Sequence, residues 1–325
     1  MDNGELYMYN GIINVYKEKG YTSFDVVARL RGILKQKKIG HTGTLDPDAC
    51  GVLVVCIGNA TKLCDLLTDK DKKYTAVLRL GITTDTEDSS GNILTEKSVN
   101  VSENQVREVI MSFIGEYDQI PPMYSAIKVN GKKLYELARQ GIEIERTPRR
   151  VVINNIDIMD VSLPYVKFSV SCGKGTYIRS LCRDIGEKLS CGGIMDNLVR
   201  DSVNISETGM SFNLEDSLRI AEIEEYAAKD CLKDHILTID KMFPNLKKVM
   251  VNASGTRKLM NGNVLYNSDF NIEVLSEDAN NDNKYSIPEM IDGREYLVYD
   301  DKGSFKAIYR FDGAKKCYNA YKMFL

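Results

Sequence analysis

Residues 38–57 read "KIGHTGTLDPDACGVLVVCI". The second half contains a continuous apolar run, Val52 to Ile57, which predicts a strand buried on both faces. The first half fits neither a strand nor a helix. Gly40 and Gly43 let the backbone pass close to another body. Pro47 pushes the residue before it out of the helical region, so Asp46 stands in extended geometry ahead of a strand that anchors its loop. A rigidly mounted carboxylate of this kind is a candidate nucleophile. An ordinary Asp-Pro turn is the other reading, and spacing alone leaves both open.

Working outward, "NGIINVY" predicts a short strand and "TSFDVVARLRGILKQKK" a helix. Thr22 or Ser23 caps that helix, and Phe24, Val27, Leu30 and Leu34 share one face. "NATKLCDLLTD" reads as a helix capped by Asn59. "KYTAVLRLGITT" alternates, with Tyr74, Ala76, Leu78 and Leu80 on one face of a strand. Ser102 and Gln105 form a capping box for a helix over "SENQVREVIMSFIG". A tight Asn130-Gly131 turn leads into a helix stopped by Gly141. Strands are expected over 151–159 and 165–172, the second with Val166, Phe168, Val170 and Cys172 alternating. "TYIRSLCRDIGEKL" is a helix with Ile178, Leu181, Ile185 and Leu189 inward, and more helix is expected over about 212–231.

The composition changes near residue 240. Short strands "KVMV", "NVLY", "REYLVYDD" and "FKAIYRF" follow, interrupted by the polar loop "SEDANNDNKYS". The expected organisation is a large domain over 1–240 and a small β-rich one over 247–325. A chain of 325 residues accommodates both.

Apolar content of 43% and charged content of 27% are ordinary for a globular protein. No apolar run approaches the roughly 20 residues that span a bilayer. The start, "MDNGELYMYNG", lacks the apolar segment of a signal peptide. The expectation is a cytoplasmic protein with no membrane association. The eight cysteines form no CxxC pair, and the only histidines are His41 and His235. That argues against a zinc site and against a Ser–His–Asp triad, so no metal is expected. Net charge is −3, yet the charge is unevenly placed. Lys17, Lys19, Arg29, Arg31, Lys35, Lys37 and Lys38 crowd one region, and Lys128, Lys132, Lys133, Arg139, Arg146, Arg149 and Arg150 another. Acids gather later, at Asp269, Glu273, Glu277, Asp278 and Asp282. Two basic clusters flanking a candidate site suggest a surface that tracks phosphates.

The opening stretch and three others decide between the readings of Asp46. "GHTGTLDPDACGVLVVCIGNATKL" resembles the catalytic motif of the TruB family, the tRNA pseudouridine-55 synthases. "KKYTAVLRLGITTDTEDSSG", "QIPPMYSAIKVNGKKLYELARQGIE" and "SCGKGTYIRSLCRDIGEKLSCGG" are similar to that family in the same order, over roughly residues 11–215. The resemblance implies that Asp46 is the essential catalytic residue and that Tyr74 and Arg179 share its site. It implies that Leu198, in "IMDNLVR", lines the uracil pocket. Two departures stand out. Glu18 follows Lys17 in "YKEKGYTS" where the family usually has proline. Val199 and Arg200 follow Leu198 where two arginines are common, which implies one tRNA-facing charge fewer.

The implied fold is α+β: a pseudouridine synthase core with a large mixed, mostly antiparallel sheet flanked by helices, plus a small PUA-like RNA-binding domain. The implied reaction isomerises uridine 55 in the T-arm stem-loop of tRNA. It breaks the N1–C1′ bond, turns the uracil and joins C5 to C1′, with no redox step and no cofactor. The target base lies inside a folded loop and must be flipped out. Asp46 supplies the anion near C1′ or C6, and a guanidinium such as that of Arg179 favours a charged carboxylate and orients it. Tyr74 offers a ring to stack on the uracil and a hydroxyl near the sugar. His41 is placed to fill the space the base leaves. Tyr177, Ile178 and Leu198 form walls. Lys17, Lys19, Lys132 and Arg146 are the expected phosphate contacts, which position RNA without specifying sequence. A monomer with no obligatory protein partner is expected. A dyskerin-type guided synthase, or a tRNA-binding and folding protein working through the same surface without catalysis, are the alternatives.

Overall fold

The computed structural model describes residues 9–68, 71–129, 131–205, 209–271 and 285–325. Asn130 of the anticipated turn, most of the polar loop, and Glu273, Glu277, Asp278 and Asp282 lie outside these. Backbone contacts divide the chain into two compact units. One comprises Asn14–Val55 and Cys64–Leu232. The other comprises Lys233–Leu325, Cys56–Leu63 and the N-terminal residues as far as Ile13.

The larger unit is organised on a nine-stranded sheet. Its strands are β1 (Gly11–Lys17), β2 (Ile39–His41), β3 (Cys50–Ile57), β4 (Asp71–Leu80), β5 (Gly115–Gln119), β6 (Arg149–Ser162), β7 (Tyr165–Cys172), β8 (Gly193–Ile205) and β9 (Met210–Asn213). The order is β1-β3-β8-β4-β7-β6-β5, with β2 on β3 and β9 on β8. Strands β4 to β9 pair antiparallel, and β8 runs parallel to β3. Residues 51–57 are buried throughout, as a strand covered on both faces requires. Tyr74, Ala76, Leu78 and Leu80 share the buried face of β4 with Val166, Phe168, Val170 and Cys172 of β7.

Helix α1 (Ser23–Leu34) begins with a capping box in which Thr22 and Asp25 satisfy each other's backbone amides. It buries Val26, Val27, Leu30 and Leu34 and ends in a left-handed residue, Lys35, short of the lysines that the pattern had included. Phe24 faces outward, 66% exposed. Valine at 26 turns the buried stripe by one position. Helix α2 (Glu103–Met111) carries the expected Ser102–Gln105 box. Helix α3 (Ile178–Lys188) buries Ile178, Leu181 and Ile185. It lies hard against β8: a Cβ on Gly186 would sit 2.2 Å from the Gly193 nitrogen, so only glycine permits that approach.

Several expected elements differ. "NATKLCDLLTD" is a 3-10 turn (Gly58–Leu63) followed by a short helix (Cys64–Thr68), because side chains of the first part serve the smaller unit. Asn59 caps nothing. Its Nδ2 donates to the Phe324 carbonyl at 3.0 Å, and Lys62 Nζ donates to that of Met323 at 2.8 Å. The region 212–231 opens with strand β9 and becomes helical only over Ile220–Ala228.

The smaller unit contains a four-stranded sheet, β10 (Lys247–Met250), β11 (Glu295–Tyr299), β12 (Phe305–Asp312) and β13 (Cys317–Met323), in that order. Val249, Val251, Leu259, Leu265, Phe270, Tyr296, Val298, Tyr309, Phe311 and Tyr318 form its core. "NVLY" contributes only a single bridge, Leu265 to Tyr318. A helix over Ala253–Leu259, capped by Asn252, was not legible from apolar period.

Candidate active site

Sheet register brings the site together. Tyr74 on β4 is flanked by Val170 of β7 and Arg200 of β8, and Ala76 by Phe168 and Leu198. Register shifts in β8 between Met195 and Asn197 and between Arg200 and Ser202 bracket Leu198 to Arg200. Such bulges re-aim side chains and recur beside active sites.

The loop holding Asp46 is pinned at several points. The Ser23 hydroxyl accepts from the Leu45 amide at 2.9 Å, so Thr22 caps α1 while Ser23 serves the loop. The Ala49 amide donates to the Asp46 carbonyl at 3.1 Å and the Gly20 amide to the Pro47 carbonyl at 2.8 Å. Gly43 takes φ +89°, a conformation that favours glycine, although a Cβ there would meet nothing closer than 3.5 Å.

Arg179, in the first turn of α3, grips Asp46 with two nitrogens. Nε lies 2.9 Å from Oδ2, and Nη2 lies 3.1 Å from Oδ1. The same guanidinium donates to the carbonyls of Thr86 at 3.2 Å and Tyr124 at 2.9 Å. Asp88 stands 3.9 Å from Nε, held by the hydroxyls of Thr86 and Ser90 at 2.6 Å each. The Arg179 side chain is 6% exposed, whereas that of Asp46 is 36% exposed. The pair is thus anchored on the arginine side and open on the carboxylate side. A two-point fork of this kind fixes orientation as well as distance.

Asp46 opens into a cavity of about 690 Å³ whose lining includes Tyr74, Tyr124, Tyr177, Ile178, Leu198 and Arg200. Burial pushes the Tyr74 phenol up to about 12, with Arg200 pulling the other way. Burial also raises the Tyr177 phenol. The Tyr177 backbone is clasped by Gln119, whose Oε1 accepts from its amide at 2.8 Å and whose Nε2 donates to its carbonyl at 3.1 Å. Three apolar or aromatic walls around one open carboxylate suit a flat, partly polar ring.

Three of the sequence-derived expectations change here. Lys17 is fully buried. Its Nζ donates to the carbonyls of Ala49 at 2.6 Å, Glu18 at 3.1 Å and Pro47 at 3.2 Å, so it fastens the Asp46 loop from inside and is no surface cation for a phosphate. Burial lowers its ammonium to about 8. Arg146 is engaged within the protein, donating to the Pro121 carbonyl at 3.0 Å beside Glu87 and Glu143. Arg200 is 1% exposed, so it is an internal cation of the cavity wall and not an outward-facing one. The two-residue alternation that puts Leu198 in the pocket puts Arg200 on the same face, and this signal was present in the sequence.

The other positions fall as follows. His41 ends β2, half-buried and outside the cavity lining, and burial followed by the charge of Arg200 holds its imidazole below the usual range. Lys19 and Lys132 are exposed. Asp88, Thr86 and Tyr124, which fix Arg179, carried no motif signal of their own beyond their place in the matching stretches.

Residues 31–244 also match known families. Residues 31–178 match the model of the TruB family pseudouridylate synthase N-terminal domain. Residues 179–244 match that of the tRNA pseudouridylate synthase B C-terminal domain. The tRNA pseudouridine synthase B of Lachnoclostridium phytofermentans is 55% identical over 324 residues, covering 97% of this chain and 100% of that protein. That of Alkaliphilus oremlandii is 48% identical over 268 residues, covering 82% and 86%. Among solved structures, a Cbf5-Nop10-Gar1 complex matches with a TM-score of 0.65 at 24% identity, covering 99% of this chain and 87% of that one. An H/ACA RNP bound to a substrate RNA containing 2'-deoxyuridine matches with a TM-score of 0.64 at 22% identity, covering 99% and 87%. At these identities the structural likeness concerns the fold.

Proposed function

The chain belongs to the TruB family and is a tRNA pseudouridine synthase, and from that premise we propose that its target is uridine 55 in the T-loop of tRNA and that Asp46 is the nucleophile. The observation that carries this reading is the ion pair of Asp46 with Arg179 at the mouth of an aromatic-lined cavity. The carboxylate is the exposed member of the pair, so a base turned out of its stack reaches it without disturbing the arginine.

The isomerisation needs three things of the protein. An anion must approach the sugar or the base, and Asp46 provides it at C1′ or C6. The uracil must be held while its glycosidic bond is open and must turn before C5 bonds to C1′. Tyr74, Tyr177, Ile178 and Leu198 enclose a slot that retains a planar ring yet lets it rotate. A proton must leave C5 at the end, and the Tyr74 hydroxyl stands where it can relay one. A hydrogen bond from Nη2 of Arg179 and the ion-pair contact of its Nε hold the carboxylate of Asp46 at two points and keep its oxygens aimed during these steps.

For the rest of the molecule the proposal assigns catalysis to 1–240 and RNA binding to a PUA-like domain over 247–325. The enzyme works in the cytoplasm as a monomer on the T-arm, without a protein partner or cofactor. No helix among the described residues is long and apolar enough to cross a membrane.

The test is Asp46→Asn. The variant is expected to bind tRNA with affinity close to that of the parent and to form no pseudouridine, read by carbodiimide labelling of the T-arm. Normal turnover by the variant would overturn the role of Asp46. Pseudouridine appearing elsewhere in the tRNA would overturn the choice of uridine 55. A parent protein that binds and refolds tRNA yet modifies nothing would favour the non-catalytic alternative.

A further inference from the structure

Arg200 is a buried cation without an acid. It is among the largest fully buried side chains, and no carboxylate among the described residues pairs with it. A guanidinium removed from water needs its charge and its five N–H donors answered. Backbone carbonyls answer two: Nε donates to Val52 at 2.7 Å and Nη2 to Gly43 at 3.1 Å. Across the β4–β8 ladder its neighbour is Tyr74, and both side chains line the cavity. Arg179 resembles it in burial but has Asp46 as counter-ion. A chain that keeps a second buried guanidinium beside the first, with Lys17 and His41 close enough to feel its charge, uses it for more than filling space.

We infer that Arg200 is a positioning residue for the isomerisation, one that directs the hydroxyl proton of Tyr74 into the cavity. The reasoning is directional. A guanidinium offers positive charge and donors only, so the phenol beside it on the same face turns its oxygen toward Arg200 and its proton away. The cavity is the open direction. There the hydroxyl meets the bound nucleoside as a donor, and if it gives up its proton, Arg200 already faces the oxygen that becomes negative. Because Arg200 also holds the Gly43 carbonyl, it ties this hydroxyl to the loop that carries Asp46. The inference rests on the reading of Tyr74 as a group at the reacting nucleoside.

The test is a double-mutant cycle on the full chain with single-turnover rates and tRNA affinities measured separately. Arg200→Lys is expected to lower the rate at saturating tRNA by about tenfold or more with affinity within about twofold, and to add less than about threefold on top of Tyr74→Phe, as coupled neighbours do. An equal loss from Arg200→Lys in both backgrounds would overturn the inference, because Arg200 would then act through the loop alone. A loss of affinity with the rate intact would overturn it too, as that is the mark of a phosphate contact. Tyr74→Phe as fast as the parent would remove the role of Tyr74 and the inference with it, while pseudouridine formation itself stood. Should Arg200→Lys fail to fold, Tyr74→Phe suffices. In ¹⁵N-arginine spectra the guanidinium signal of Arg200 is expected to shift on loss of the phenol, and an unmoved signal overturns the inference.

Discussion

Two of the arginines that line the cavity, Arg179 and Arg200, differ in where their partners lie. Arg179 comes from a helix and spends two of its donors on a carboxylate that the cavity exposes. Arg200 comes from a strand and spends donors on two backbone carbonyls inside the protein. The first is paired with the carboxylate itself. The second is bonded to the backbone on either side of it. Charges of the same kind, at similar burial, are thus held in two ways, and the proposals above give each its own role. Substituting the two arginines in parallel should separate these functions.

The largest effect short of removing Asp46 itself is expected from Arg179→Lys. Lysine keeps the charge but cannot reproduce the two-point fork, and the carbonyls of Thr86 and Tyr124 lose their donors. Misaiming a nucleophile by about an ångström costs on the order of 10²-fold, so single-turnover rate should fall by at least that much while tRNA still binds. A rate within a fewfold of the parent would show that charge alone matters, and the contrast between the two arginines would collapse.

That contrast also marks what a sequence can and cannot disclose. The strands around Asp46 were legible because burial on one or both faces leaves a clean apolar pattern, as over 52–57 and 74–80. Helix α1 was legible from its cap and period, α2 from its capping box and α3 from its period alone. Asp46, Tyr74 and Arg179 were legible as a set through their motifs, and the structure brings all three to one cavity. The errors concern cations. A lysine or arginine reads as solvent-facing by default, because burying a charge is costly. Lys17 and Arg200 are buried because backbone carbonyls of the Asp46 loop and the strand after it need donors, and those carbonyls leave no trace in the residue letters. The 58–63 segment failed for a related reason. Its polar side chains look like a helix start until Phe324 and Met323 supply carbonyls from far along the chain.

Lys17 provides a medium-sized effect and a pH signature. Lys17→Met removes the donor shared by Pro47 and Ala49, and a loosened loop should cost about tenfold in rate, less than the loss of Arg179. The ammonium is at about 8 in the folded protein against an ordinary 10.5. Between those values the unfolded chain binds more protons than the folded one, so this group makes stability rise with pH across that window. Below about 8 both states are protonated and the folded state bears the full cost of the buried charge. Urea midpoints of parent and variant, compared across the window, should show the parent gaining on Lys17→Met as pH rises. A constant difference would mean that Lys17 is solvated in the folded protein and free to meet RNA after all.

The smallest effects belong to the cations that remain exposed, Lys19 and Lys132. They lie outside the hydrogen-bonded frame of the catalytic loop, so alanine at either position should leave the rate at saturating tRNA unchanged. If they contact phosphates, each loss should weaken binding by a fewfold and reduce the slope of log affinity against log salt by roughly one. Arg146 sets the opposite limit. With its guanidinium committed to Pro121 and flanked by Glu87 and Glu143, its replacement should change the salt slope little. The slope therefore distinguishes exposed from internal cations by a measurement that does not depend on turnover. A full unit lost with Arg146→Ala, and none with Lys132→Ala, would mean that RNA draws Arg146 out of its network and that the boundary between frame and binding surface moves when the substrate arrives.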